Sequence, residues 1–360
     1  MRSSRWIKRN AGRLSGFGVS GSLVIQTSFL GDVILTTPLI AELAKRGPVD
    51  VLATPLGATA LANNPDIRHV IRYDKRGTYG SALGLWQTVK EVRVSRPYDA
   101  AYLAQGSFRS GLLAMLTGAK ERIGFASSTG RVLYTHQKPY RPELHHAERL
   151  WSLAMSDCAD PPTPDQIRPR LYPGDADRQV VDRLLRRTDA NGEPFVAIAP
   201  GSAWGTKRWP YYVELAKKLV DEFHIAIIGS KVDLDTATRI AEGLPSERVI
   251  NGVGDLSLLA SAELIGRAQA IVTNDSAPQH LASAMGTPTL AIFGPTVPEF
   301  GFGPLAERSA VAGHASLSCR PCHRHGPQRC PLGHWRCMRE LGPDYISSLL
   351  TDVLNPPVPV

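Results

Sequence analysis

At 360 residues, 43% hydrophobic and 21% charged, the chain is long for one core and reads as two globular domains. No apolar run approaches the roughly 18 residues of a membrane span. The net charge of +8 points to anionic partners, which are nucleic acid, anionic lipid or a phosphorylated small molecule.

Residues 1–21 carry Arg2, Arg5, Lys8, Arg9 and Arg13 among glycines but lack the continuous apolar core of a signal peptide. They read as a basic extension of a cytoplasmic protein. Alternation then sets in: a strand at 23–26, a turn at 27–32, a helix over 33–46 with Pro38 inside it, a strand at 49–53, a helix at 56–63 and a strand at 69–73. A helix at 81–94, a strand at 100–103, a helix at 110–116 and the run 122–125 follow. Strands separated by helices predict a doubly wound parallel sheet, an α/β fold.

From 134 to 172 the periodicity weakens and prolines gather, so the junction between domains is expected near 160–175. This gives a first domain over 22–165 and a second over 175–340. In the second, helices at 177–187, 211–222, 234–243 and 256–268 alternate with strands at 195–199, 225–228 and 248–250. The stretch Ala270-Ile271-Val272-Thr273-Asn274-Asp275-Ser276-Ala277-Pro278-Gln279-His280 comes next, and a last helix is expected within 343–355.

Three strand-to-helix turns hold the chemistry. Ser28-Phe29-Leu30-Gly31-Asp32 puts a carboxylate at a helix start, where an Asp serves as a cap or as a general base. Pro200-Gly201-Ser202 through Thr206-Lys207-Arg208 joins small residues, which let backbone approach a ligand, to cationic donors. At Asp275-Ser276, with Pro278 in the first turn, a strand hands over to a helix whose free N–H groups favour a phosphate. The second turn lacks P-loop spacing and no G-x-G-x-x-G fingerprint follows the first strand, which argues against a dinucleotide oxidoreductase.

Residues 27–38, 200–210 and 274–296 together resemble the lipopolysaccharide heptosyltransferases in order and spacing, over roughly residues 22–350. The resemblance implies a GT-B type enzyme: two Rossmann-like domains whose parallel sheets face a central cleft. It implies an inverting glycosyltransferase that moves a heptose from ADP-heptose, with no cofactor required, to the inner core of lipopolysaccharide (a lipid A–Kdo or heptose acceptor). Asp32 then matches the general base. Ser202, Thr206, Lys207, Asp275, Ser276 and His280 match the donor site, and Ser28 and Gly31 line the acceptor side of the cleft. A helix start is expected to lower the Asp32 pKa and keep the group ionised. The implied location is cytoplasmic, peripheral at the inner face of the inner membrane, with Arg93, Arg96, Arg109, Lys120, Arg122 and the extension meeting its anionic surface.

The sequence departs from the family pattern at Ala277-Pro278, which removes one N–H from the turn, and at Lys231, which leaves Asp233 as the acidic candidate for the ribose. Cys319, Cys322, Cys330 and Cys337, with interspersed histidines, suit a structural zinc site, reduced thiols or occasional disulfides. Two other readings stay open. One is a related GT-B enzyme with another nucleotide sugar or acceptor. The other is a zinc-stapled basic nucleic-acid-binding protein, which the three turns do not support, so nucleic acid is not the expected partner.

Overall fold

A computed structural model describes residues 21–74, 82–94, 98–188, 190 and 192–355. The basic stretch 1–20, Ser81 and Arg96 lie outside the described residues. Gly21, assigned above to the extension, opens the first strand.

The strands are β1 (Gly21–Gln26), β2 (Val49–Ala53), β3 (His69–Arg72), β4 (Tyr98–Leu103), β5 (Glu121–Phe125), β6 (His136–Lys138), β7 (Phe195–Ala199), β8 (His224–Ile227), β9 (Val249–Asn251), β10 (Ala270–Asn274), β11 (Thr289–Phe293) and β12 (Ser309–Gly313). The helices are α1 (Leu30–Ile34), α2 (Thr37–Ala44), α3 (Pro55–Ala60), α4 (Ala82–Val94), α5 (Phe108–Thr117), α6 (His146–Ser152), α7 (Pro164–Ile167), α8 (Asp175–Arg187), α9 (Tyr212–Leu219), α10 (Leu234–Ala241), α11 (Leu258–Arg267), α12 (Ala277–Met285), α13 (Arg336–Arg339) and α14 (Pro343–Leu354).

They build two six-stranded sheets, β3-β2-β1-β4-β5-β6 and β12-β11-β10-β7-β8-β9, and every pairing is parallel. Read from the other edge, the second sheet has the same order as the first, so each is a doubly wound Rossmann sheet. In both, the strand order reverses at the central pair, β1 beside β4 and β7 beside β10. The turns leaving the carboxyl ends of those strands therefore open at the switch point, where α/β sheets bind ligands.

Both faces of each sheet are covered by apolar clusters, which is why central strands such as Phe195-Val196-Ala197-Ile198-Ala199 are buried throughout. One cluster joins the halves: Ile34 of α1 and Ala60 of α3 pack with Leu259, Ala260 and Leu281 of α11 and α12. The carboxyl ends of β1 and β10 thus face each other across the cleft. Among the described residues no helix is long and apolar enough to cross a membrane.

The helix expected over 33–46 is two helices. Pro38 cannot donate to the carbonyl of Ile34, and the Thr37 hydroxyl takes that carbonyl at 2.8 Å, so α1 stops and α2 restarts. β6, α6 and β12 lacked a sequence signal because β6 is a short polar edge strand, α6 a seven-residue helix and β12 a partly exposed edge.

Candidate active site

On the first-sheet side, Phe29 caps α1, and Asp32 lies in the first turn rather than at the cap. The Ser28 hydroxyl and the Phe29 N–H lie beside its carboxylate and favour the ionised form. Gly31 is needed here, because a Cβ at that position would lie 2.8 Å from Cδ2 of His280. The small residue lets α12 of the second half approach α1 and brings His280 beside Asp32.

Among the described residues Asp32 has no Lys or Arg in ion-pair contact. Its partner is His146, whose Nε2 lies 3.4 Å from Asp32 Oδ1. Burial pushes the Asp32 carboxyl above its usual range, against the pull of Ser28, His280, the Phe29 N–H and His325. The expected lowering by the helix start is thereby corrected: α1 has only five residues, and desolvation outweighs its dipole.

The histidines around Asp32 are held neutral. Burial lowers His280 to about 4, with His145 adding to the shift, and lowers His146 to about 3, helped by Arg149 and Arg324. His145 falls to about 4, again chiefly by burial. Nδ1 of His146 and of His280 are buried without a hydrogen-bond partner among the described residues.

On the second-sheet side, Lys207 and Asp275 meet in a buried ion pair at 2.6 Å. Thr296 donates to the same Asp275 oxygen at 2.6 Å, and Gln279 Nε2 lies 3.4 Å from the other. Asn274, at the end of β10, clips this turn to the neighbouring one. Its side chain donates to the Pro200 carbonyl at 2.9 Å and accepts from the Trp209 N–H at 3.1 Å.

Ser276 is the N-cap residue of α12, yet its side chain makes no capping bond. The Thr206 hydroxyl donates to the Pro327 carbonyl at 2.5 Å, so this residue fastens a loop. Ser202 Oγ accepts weakly from Trp204 N–H at 3.3 Å. Asp233 is turned inward, accepting from the Ser230 N–H and hydroxyl at 2.9 Å each and lying against Gly201.

The cysteine-rich segment reaches this site, which its composition gave no reason to expect. Gln328 bonds the Gly205 N–H at 3.0 Å and the Ala203 carbonyl at 2.9 Å. Gly326 lies against Lys207, and His325 is parallel to the Trp204 ring at 6.2 Å between centroids. Arg320 anchors the segment by donating to the carbonyls of Phe293, Gly294 and Thr296.

The four cysteines of the segment are free thiols, Cys322 exposed and Cys337 buried. Burial and the other three sulfurs push the Cys337 thiol up to about 11. Among the described residues no three His, Cys, Asp or Glu side chains converge as metal ligands.

Sequence reasoning missed His146, Gln279, Thr296 and His325. His146 carried no motif. Gln279 lay inside a motif already read, where its spacing of four from Asp275 on one helix could have marked it.

Two Rossmann sheets with their switch points opposed across a cleft, one bearing a carboxylate and the other a lysine paired with the aspartate that precedes α12, are the frame of a GT-B glycosyltransferase. The family model of glycosyltransferase family 9 (heptosyltransferase) matches residues 84–334, and the chain belongs to that family. It is 29% identical to lipopolysaccharide heptosyltransferase 2 of Escherichia coli (strain K12) over 309 residues, covering 80% of this chain and 86% of that protein. It is 30% identical to lipopolysaccharide heptosyltransferase 1 of Pseudomonas aeruginosa over 317 residues, covering 83% and 85%. The solved E. coli ADP-heptose LPS heptosyltransferase II superposes with a TM-score of 0.74 at 25% identity, covering 93% of this chain and 98% of that one.

Proposed function

We propose that this glycosyltransferase moves a heptose from ADP-heptose to the inner core of lipopolysaccharide with inversion at the anomeric carbon. The observation that carries the reading is the opposition of Asp32 to the Lys207–Asp275 turn across the cleft. The donor belongs on the second domain (175–340) and the acceptor on the first (22–165).

In the reaction the acceptor hydroxyl gives its proton to the Asp32 carboxylate as its oxygen bonds the anomeric carbon. The bond from that carbon to the diphosphate oxygen breaks, and ADP leaves with the electron pair. A raised carboxyl pKa makes Asp32 a stronger base than an ordinary aspartate. Lys207 has three N–H donors, of which Asp275 takes one, and the others suit the charge growing on the departing phosphate. Ser276, the α12 N-terminus and Ser202 complete the donor side, with His280 between donor and base.

The test is incubation with ADP-heptose and heptose-deficient lipopolysaccharide core, with UDP- and GDP-sugars as further arms, followed by mass spectrometry. One added heptose and released ADP are expected. ADP binding without transfer or donor turnover would overturn the heptose assignment.

We also propose peripheral attachment to an anionic membrane. Among the residues expected to supply it, Arg122 bonds the Leu133 and Ala119 carbonyls and Lys120 pairs with Asp99. Exposed Trp86, Phe108, Met115 and Val132 on α4, α5 and the turn at 131–133 suit it better, with Lys90 beside Trp86. Co-sedimentation with anionic vesicles should weaken in Trp86→Ala, and its absence at low salt would refute attachment.

A further inference from the structure

His146 is the only ionisable side chain in ion-pair contact with Asp32 among the described residues, and no motif pointed to it. It begins α6, on a segment that follows the first sheet, yet it is held from the second half. Its backbone N–H donates to the Gly301 carbonyl at 2.7 Å, and its ring lies against Phe302 at 4.9 Å between centroids. His145 next to it reaches the Gly303 carbonyl at 3.1 Å, and Arg149 one turn on reaches the Phe300 carbonyl at 3.1 Å. The loop after β11 thus holds the start of α6 and packs Phe302 against the imidazole, whose Nε2 lies 3.4 Å from Asp32 Oδ1.

The tautomer follows from the surroundings. A proton on Nδ1 would bury an N–H with no partner and set the Nε2 lone pair against a carboxylate oxygen. A proton on Nε2 leaves only an unpaired acceptor at Nδ1 and sets a donor, not a lone pair, 3.4 Å from the carboxylate oxygen. At 3.4 Å the contact is longer than a hydrogen bond of this type, and substrate binding is what would tighten it.

We infer that His146 is a positioning residue for the base: its Nε2–H holds Oδ1 of Asp32, so that Oδ2 is the oxygen presented to the acceptor hydroxyl. The inference rests on the reading of Asp32 as base. It also makes the loop Pro298–Gly303 of the donor half part of the acceptor half's base, so that the base is oriented only when the two halves are docked.

The groups facing this pair are known from each element packed on it. His280 comes from α12, His325 and Arg324 from the cysteine-rich segment, His145 and Arg149 from the α6 region, and Ser28 from the turn before α1. Arg149 is engaged by Tyr140 and by the Arg141 and Pro142 carbonyls. Hence a change at His146 is read at Asp32 without removing another partner of the carboxylate.

The experiment compares His146→Phe, His146→Gln and His146→Asn in single-turnover transfer from ADP-heptose across pH, with Asp32→Asn in parallel. A Gln amide N–H can occupy the Nε2 position, whereas that of Asn reaches only the Nδ1 position. Losing one hydrogen bond to a charged group predicts a rate about ten- to hundredfold lower in the Phe and Asn variants. It also moves their acid limb to higher pH, because the ionised carboxylate has lost a donor. His146→Gln should recover both rate and limb. A Phe variant with wild-type rate and limb, or a Gln variant as impaired as Asn, overturns the positioning role. Should the Phe variant not fold, the Gln and Asn pair makes the same cut. If Asp32→Asn keeps the wild-type rate, the base reading itself fails; if Asp32→Asn is inactive while all three His146 variants are normal, only the positioning role fails.

Discussion

Asp32 and Asp275 both stand where a central strand hands over to a helix, one on each side of the cleft, and their surroundings are opposite. Asp275 is locked by Lys207, Thr296 and Gln279. Asp32 faces a serine hydroxyl, one backbone N–H and buried neutral imidazoles. A carboxylate tied to a lysine organises a turn, whereas one left among neutral groups keeps a lone pair for a proton. Roles at strand ends are therefore set by what the opposite half of the molecule brings near, and both sides can be broken separately.

The largest effect is expected at Asp32. Asp32→Asn should lower single-turnover transfer by roughly two to four orders of magnitude. Its melting temperature should hold or rise at pH 7, since a buried carboxyl is replaced by a neutral amide. Asp32 stands in the first turn of α1 beside the N-cap Phe29 N–H, and Asn keeps an acceptor there, so the loss cannot be explained as a lost cap. A folded Asp32→Asn enzyme at wild-type rate would end the catalytic role.

Lys207→Ala should act on stability as well as on donor use. Removing one member of a buried ion pair strands the Asp275 charge, at a cost of about 3–5 kcal/mol. Lys207→Met combined with Asp275→Leu should restore much of the melting temperature while leaving donor use lost. If Lys207→Ala keeps its melting temperature and loses only donor affinity, the pair does not organise the turn.

The pH dependence of folding separates the two kinds of titrating group. His145, His146 and His280 titrate at about 4, 3 and 4 in the folded protein, below the ordinary histidine range. Between the unfolded value of about 6.5 and those values the unfolded chain binds more protons, so their neutral burial supports the fold above pH 6.5 and that support is lost as pH falls. Asp32 runs the other way: its raised pKa contributes stability below the unfolded value and loses it as pH rises through the folded one. Three histidines against one carboxyl predict a melting temperature that falls from pH 7 to pH 4.5, less steeply in His280→Gln. A flat profile would mean these imidazoles are hydrated.

How much of this was legible in the sequence follows from which interactions are local. The α/β alternation, both sheets and α14 could be read, because strand and helix periods are written in consecutive residues. So could the three turns, and with them Asp32, Lys207 and Asp275. The pairing of Lys207 with Asp275 spans 68 positions and depends on β7 lying beside β10, which only the sheet order reveals. His146 meets Asp32 through a loop more than 150 residues further on, and the cysteine-rich segment covers Lys207 through one glycine and a backbone turn. None of these contacts has a sequence period, and the pKa of Asp32 was misjudged for the same reason, since its desolvation comes from elements distant in sequence.

The smallest effect, at Ser276, tests whether the α12 start is built for a ligand or merely for the helix. A capping serine accepts from an N–H of the first turn, as Ser257 does for the Ala260 N–H of α11 at 2.9 Å. Ser276 does not; its hydroxyl leans on the Asn274 carbonyl at 3.3 Å, and Pro278 supplies no N–H. Replacing Ser257 by Ala should therefore cost about 1 kcal/mol of stability, while Ser276→Ala should cost under about 0.5 kcal/mol. If this hydroxyl serves the nucleotide, Ser276→Ala should instead weaken ADP binding by about 0.5–1.5 kcal/mol, the contribution of one hydrogen bond. Calorimetric titration with ADP beside thermal melts reads both. A Ser276→Ala protein that melts lower by as much as Ser257→Ala and binds ADP normally would make Ser276 a cap, and would remove it from the donor site.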